Sequence, residues 1–195
     1  MARPEKIIMA SSSPYRKALM QRLQISFITI NPDISESALP AESAPQIVSR
    51  LAREKVEKVA ENEKNALIIG SDQVAVLEDC ILGKPGNRSN AKRQLITMRD
   101  REVSFLTGLC VLNTQSGSSL TDVVSTMVSF RDYSDDEIEH YLDKESPFDC
   151  AGSFKSEQLG ITLVKAISGS DPTSLIGLPL IRLAEMLRSE GCDIP

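Results

Sequence analysis

The chain has 195 residues, 41% of them hydrophobic and 25% charged, and its 22 basic and 27 acidic side chains leave a formal net charge of −5. That describes a soluble globular protein of one ordinary domain or two small lobes, with a proper core, and a single domain over residues 1–195 is expected. The acidic balance argues against general affinity for DNA, RNA or an anionic membrane, but not against a small anion met by local cations or a divalent metal. No run is long or apolar enough to cross a bilayer. Residues 7–10, behind the cations Arg3 and Lys6, are too short for a signal-peptide core, so the expected compartment is the cytoplasm.

In chain order, residues 6–10 read as a short buried strand and 15–23 as a helix. Ser13 is its expected N-cap and Pro14 its N1 residue, where a missing N–H costs nothing. Residues 25–30, ISFITI, alternate and are β-branched, which predicts a second strand. Residues 31–45 hold Pro32, Pro40 and Pro45 and predict a loop. A long helix follows from about 44 to 62, with Ile47, Val48, Leu51, Ala52, Val56 and Val59 as its apolar stripe. Residues 66–79, ALIIGSDQVAVLED, predict a strand broken at Gly70-Ser71-Asp72-Gln73 and resumed at Val74. A helix is expected over 87–98, then strands over 102–113 and 123–131 joined by the Ser-Gly-rich TQSGSSLTD. A helix over 135–142 capped by Ser134, a strand over 160–167 and a closing helix over 179–190 complete the pass. Early alternation with a strand pair in the middle predicts an α/β fold with a mixed sheet and flanking helices.

Cys80, Cys110, Cys150 and Cys192 are scattered and form no CxxC pair. With His140 as the lone histidine they argue against a zinc site and for free thiols in a reducing cytosol. One histidine also removes Ser-His-Asp and Cys-His catalysis unless His140 serves, and it falls in an exposed acidic helix opening. The chemistry is left to carboxylates, lysines, hydroxyls and metal.

Six stretches carry the groups that phosphate or metal would want. In SSSPYRK, hydroxyls including Ser11 and Ser13 join helix N-terminal amides in an anion cradle, and Arg16 or Lys17 adds charge. In IIGSDQV, Asp72 projects from a strand end or bend, either as a turn-former or as a carboxylate for metal or water. In GKP, Lys84 is held in a turn, its ammonium solvated or set against a transferring phosphoryl group. In LAREKV, Arg53, Glu54 and Lys55 occupy the polar side of a helix, and a solvated face is the plainer reading. AGSFKSEQLG, residues 151–160, places Lys155 and Glu157 in a mixed loop suited to recognition or to solvent. In GLPL, Pro179 is the expected N1 residue of the last helix and Gly177 allows a close backbone approach.

Taken in this order, the chain resembles the Maf family of nucleotide pyrophosphatases. The matching features run from Ala10 to Leu180: the ASxSPxR opening, Glu36 in PDISES, LAREK, GSDQV, GKP, Thr107-Gly108, AGSF and GLPL. The resemblance implies a mixed α/β fold with two lobes around a deep cleft and, in many members, a homodimer. It implies hydrolysis of a nucleoside triphosphate between the α- and β-phosphates, giving the monophosphate and pyrophosphate, with Mg²⁺ or Mn²⁺. It makes Asp72 the catalytic carboxylate and Glu36 its acidic partner, both near the metal, with Ser11, Arg16, Lys55 and Lys84 around the triphosphate. Physical chemistry agrees, because a triphosphate repels an anionic nucleophile until cations collect its charge. A carboxylate near the α-phosphorus can orient and deprotonate water. Proton abstraction is assigned to Asp72 and metal ligation to Glu36, and on the sequence the two roles are interchangeable.

Within that family, Tyr15, Asp72-Gln73 and SFKSE resemble the YceF-type branch associated with 7-methyl-GTP. The branch acting on dTTP and UTP carries arginine, DT and a late glutamine in those places. Methylation at N7 gives guanine a delocalised positive charge that an aromatic face attracts by about 2 kcal/mol when desolvated. Glu157 can accept from the guanine N1–H and 2-amino group and would be repelled by a pyrimidine's carbonyl oxygens. Gln73 assists base selection or fixes Asp72. Tyr15 packing on Leu19 and Glu157 as a solvated charge are the plainer readings. The sequence departs from the family in having tyrosine where tryptophan is expected and no histidine in DREVSFLTG. A dTTP, UTP or other non-canonical nucleotide pyrophosphatase stays open as an alternative, as does a non-catalytic nucleotide-binding regulator of cell division.

Overall fold

Strong local signals fix most of the elements in a computed structural model that describes residues 6–195; Arg3 lies outside the described residues. The order is β1 (Lys6–Ala10), α1 (Pro14–Gln21), β2 (Ile28–Ile30), α2 (Ala44–Ala60), β3 (Ala66–Leu77), β4 (Cys80–Leu82), α3 (Arg88–Met98), β5 (Glu102–Asn113), β6 (Ser119–Phe130), α4 (Asp135–Glu145), β7 (Val164–Gly169) and α5 (Leu180–Ser189). Single 3-10 turns lie at Ala151–Ser153, Leu159–Leu163 and Ser174–Ile176. Seven strands form one sheet in the order β2-β1-β3-β5-β6-β7, with β4 on β3. β1 runs parallel to β2 and β3, whereas β3/β4 and β6/β7 are antiparallel, so the sheet is mixed, as expected.

Helix starts follow their caps. Ser13 caps α1 with Pro14 in its first turn, and reciprocal capping boxes, Ser43 with Gln46 and Ser134 with Glu137, open α2 and α4. Asp135, Asp136 and Glu137 place three acids at the positive end of the α4 dipole.

The chain divides into two compact units. The first holds the chain up to Asp72, Thr107–Val124 and Asp171–Pro195; the second holds Gln73–Leu106 and Ser125–Ser170. In the first, side-chain alternation along the strands sorts the core into two faces. Met9, Leu67, Ile69, Leu109 and Val111 pack with Leu19 and Met20 of α1 and Leu183, Met186 and Leu187 of α5. Ile8, Ala10, Ala66, Ile68 and Cys110 pack with Ala52, Val56 and Val59 of α2. In the second unit Phe154 meets Phe130 edge-on, with ring centroids 5.1 Å apart, and Phe105 at 5.7 Å. Tyr133 and Tyr141 are buried there with hydroxyls donating to the carbonyls of Leu95 and Ser153.

Several expected boundaries move. β3 is continuous through Gly70-Ser71-Asp72-Gln73, because Gly70 serves close packing rather than a bend: a Cβ there would lie 2.2 Å from the Ala52 carbonyl oxygen of α2. β2 pairs only over Ile28–Ile30, since Ile25 and Phe27 pack half-buried against the α1/α5 core instead. β6 starts at Ser119, four residues early. Asn113 Oδ1 accepts from the amides of Gln115 and Ser116, and Gly117 supplies the left-handed φ of +77° that tightens the turn. α4 continues to Glu145 and α1 ends at Gln21. β7 begins at Val164, because residues 159–163 coil into a turn that brings Gly160 against the Lys155 carbonyl. Pro179 is the N-cap of α5, one position before N1.

Candidate active site

The first unit brings four of the expected site residues together. Because side chains alternate along β3, Asp72 shares the α2 face with Ala66 and Ile68, while Ser71 shares the α1/α5 face with Leu67 and Ile69. α2 crosses that face in close contact, with the Ala52 carbonyl over Gly70 and the Val48 carbonyl over Gly108 of β5, where a Cβ would sit at 2.1 Å. This seating buries Lys55, which reads as polar helix surface in the sequence. Lys55 is 3% exposed and Asp72 7%, and Lys55 Nζ lies 2.6 Å from Asp72 Oδ1. The same ammonium is 2.7 Å from Glu36 Oε1, whose side chain is 40% exposed. One buried cation therefore links two carboxylates, the inner closed off and the outer open to solvent.

Arg16, half-buried in the first turn of α1, donates from Nε to the Gly177 carbonyl at 2.8 Å. Burial lowers its guanidinium from the ordinary value, and the carboxylates of Asp72 and then Glu36 pull it back up. Arginine stays cationic under such shifts. Ser11 is buried and its Oγ accepts the Ser13 amide at 3.1 Å, while Ser13 Oγ accepts the Arg16 amide at 3.4 Å. Each hydroxyl so used has a hydrogen of its own to donate. Tyr15 is half-buried in the same turn and Lys17 exposed.

Sequence reasoning missed the supports beneath these groups. Ser71 Oγ approaches both the Gly108 carbonyl at 2.8 Å and the Gly177 carbonyl at 2.9 Å. Thr107 Oγ1 donates to the Ser174 carbonyl at 2.9 Å. The segment carrying Gly177 is closed by buried Asp171, whose Oδ1 accepts from Thr173 and whose Oδ2 accepts from the Ile181 amide. Gly177 adopts φ +115°, a backbone conformation that side chains rarely take, which accounts for the glycine. Nothing in the spacing of GSD or TG announces these hydroxyls; strand alternation, with Asp72 assigned to one face, could have placed Ser71 on the other.

The remaining candidates belong to the second unit. Gln73, half-buried, follows Asp72 along β3 and by alternation points to the opposite face. Lys84 is exposed between Gly83 and Pro85. Lys155 is buried, and its Nζ donates to the Glu145 carbonyl at 2.7 Å, at the carbonyl end of α4. Glu157 is exposed and accepts from Ser156 Oγ at 3.4 Å. His140 lies exposed on α4, and the four cysteines are thiols outside any disulfide.

As donors for a hard cation, Glu36 and Asp72 fit Mg²⁺ or Mn²⁺, which take carboxylate and phosphate oxygens together. Among the described residues no group of three or more His, Cys, Asp or Glu side chains could hold a metal. Two carboxylates around a seat already holding an ammonium suit an ion that arrives with the rest of its ligands on a polyanion.

The cluster thus sets two cations, Lys55 and Arg16, with two carboxylates, Asp72 and Glu36, beside a capped helix start. Residues 6–190 match the family described as Maf-like protein, and the chain belongs to that family. It is 51% identical over 193 residues, 99% of this chain and 100% of the relative, to a protein of Aromatoleum aromaticum named 7-methyl-GTP pyrophosphatase. Proteins of the same name from Methylobacillus flagellatus (53% over 188 residues, 96% of this chain and 98% of the relative) and Pseudomonas syringae pv. tomato (50% over 189 residues, 97% and 98%) are similar to it throughout. A solved HAM1 protein structure from Coxiella burnetii aligns over 64% of this chain and 72% of that one, with a TM-score of 0.44 and 15% identity.

Proposed function

We propose that the chain hydrolyses 7-methyl-GTP between its α- and β-phosphates, releasing the monophosphate and pyrophosphate with the help of Mg²⁺ or Mn²⁺. The observation that carries this reading is the buried Lys55 ammonium linking Asp72 to Glu36 with Arg16 nearby. Relatives about 50% identical over nearly the whole chain carry that activity in their names.

In this reading a water attacks the α-phosphorus and the bond to the bridging oxygen breaks, so that pyrophosphate leaves. Asp72 orients the water and takes its proton. Lys55 holds Asp72 in place by its 2.6 Å ion pair and adds positive charge where the triphosphate arrives. Arg16, anchored at Gly177, and the hydroxyls of Ser11 and Ser13 bind phosphate oxygens, and Lys84 offsets charge on the leaving group. Glu36 and Asp72 would hold the metal, which would supply charge neutralisation at the phosphates.

The choice of base rests on side-chain chemistry. Glu157 accepts from the guanine N1–H and 2-amino group, and the Tyr15 ring attracts the N7-methylated ring's positive charge. Gln73 and Lys155 assist binding. The activity is assigned to the cytoplasm and to a homodimer, and no helix among the described residues is long and apolar enough to cross a membrane.

The test is pyrophosphate release by the pure protein with either metal, comparing 7-methyl-GTP, GTP, dTTP and UTP. Preference for 7-methyl-GTP is expected, with Glu157→Gln lowering kcat/KM on it by roughly 10- to 100-fold, the worth of one or two charge-assisted hydrogen bonds. Preference for dTTP or UTP would overturn the assignment of the base. Release from none of the four would leave a binding protein without catalysis.

A further inference from the structure

Glu36 sits in the loop between Ile30 and Ala44, where no helix or strand ladder fixes the backbone. An acidic residue that meets a metal and a triphosphate needs its position held to a fraction of an ångström, because misplaced groups forfeit rate steeply. The Lys55 ion pair reaches only the tip of Glu36. A second side chain of α2 reaches the loop's backbone. Arg50 donates from Nη2 to the Ser37 carbonyl, next in sequence to Glu36, at 3.1 Å. Its Nε and Nη2 grip the two oxygens of Glu42 at 2.6 and 2.7 Å, in the two-pronged geometry that only a guanidinium supplies. Its Nη1 donates to Glu54 one turn along the same helix, at 3.1 and 3.2 Å, which orients the fork. Glu42 Oε2 also accepts the Leu39 amide at 3.0 Å, so the grip extends through the turn from Leu39 to Glu42. Arg50 holds the Glu42 carboxyl down to about 2.

We propose that Arg50, clamped on Glu42 and the Ser37 carbonyl, is the positioning residue that sets Glu36 at the active site. The proposal rests on the functional reading above for the role of Glu36. α2 then fixes the loop at two points, Lys55 at the working carboxylate and Arg50 at the backbone behind it. In this reading Arg50 and Glu42 act through Glu36 and not on substrate.

A double-mutant cycle on pyrophosphate release tests this. Arg50→Ala is expected to lower kcat by about 10- to 100-fold and to raise the metal concentration giving half-maximal activity. Glu42→Gln, which weakens the clamp from the loop side, shifts both in the same direction. Arg50→Lys recovers only part of the rate, lacking the fork. In a Glu36→Gln background, Arg50→Ala costs no more than about twofold further, because the group it positions is already gone. Losses that multiply in full in the double variant would overturn the proposal, as would wild-type kinetics in both Arg50→Ala and Glu42→Gln. If the unaltered chain releases pyrophosphate from no triphosphate, the functional reading fails and hydrogen exchange judges the clamp. Faster exchange over residues 36–42 in Arg50→Ala, with β1 and β3 unchanged, supports it, and wild-type exchange there overturns it.

Discussion

At Lys55 one ammonium answers two anions in different surroundings. Removing it would leave Asp72 buried beside no positive partner at 2.6 Å, a change that costs about 3–5 kcal/mol when an ion pair is deeply enclosed. Lys55→Met is therefore expected to lower stability by that amount in urea titrations. Adding Asp72→Leu should restore most of the loss, since replacing both partners by apolar groups removes the stranded charge. Pyrophosphate release should stay absent in the double variant. A double variant as unstable as the single one would show that the carboxylate is not what suffers. Lys55 also marks where sequence reading failed: its charge grouped it with Arg53 and Glu54 on a polar face, yet it lies one turn after Leu51 on the apolar stripe and alone of the three is buried. Arg50 is a second case, a helix cation whose donors reach back to Ser37 and Glu42 ahead of α2 as well as along the helix to Glu54.

Among the elements, α2 owes its seat to two side chains that are missing. Gly70 and Gly108, on neighbouring strands, let the helix backbone approach where any Cβ would collide with the Ala52 or Val48 carbonyl. Gly108→Ala is expected to cost about 1–3 kcal/mol by overpacking and to slow catalysis as Lys55 draws away from Asp72. Gly83→Ala, which meets nothing within 4 Å, should change stability by less than about 0.5 kcal/mol. Urea titrations and initial rates on both variants check the contrast. The helices were largely legible, because the caps Ser13 and Ser134 announce α1 and α4 and an apolar stripe announces α2. The break expected in β3 was not there, because a glycine in a strand looks the same whether it serves a bend or a crossing helix. β7 was misplaced because Ile161, Thr162 and Leu163 fit a strand pattern, while the turn they form brings Gly160 against Lys155, a contact no periodicity records. Of the site, the acids and cations could be named, but the hydroxyls of Ser71 and Thr107 act on carbonyls far along the chain.

Across the whole molecule, β3, β5 and β6 each start in one compact unit and finish in the other. Neither unit can lose its strands without fraying ladders that continue into its neighbour along the same backbone. Urea unfolding is expected to be a single transition, with far-UV circular dichroism and tyrosine fluorescence coincident. Tyr15 reports on the first unit and Tyr133 and Tyr141 on the second. Two separated midpoints would show that the shared strands do not couple them.

The Gly177 carbonyl, which receives Arg16 and Ser71 together, also sets a timetable. A ribosome delivers residues 73–170 with every segment of the second unit in hand, while the first unit still lacks Asp171–Pro195. Until that stretch emerges, Arg16, Ser71 and Thr107 have no Gly177 or Ser174 carbonyl to donate to, and the core beneath α1 has no α5 to close it. A nascent chain therefore carries its carboxylates and cations long before it can hold them in working order. A message cut short before Asp171 yields a chain with every charged side chain of the candidate site and no Gly177 carbonyl to anchor Arg16.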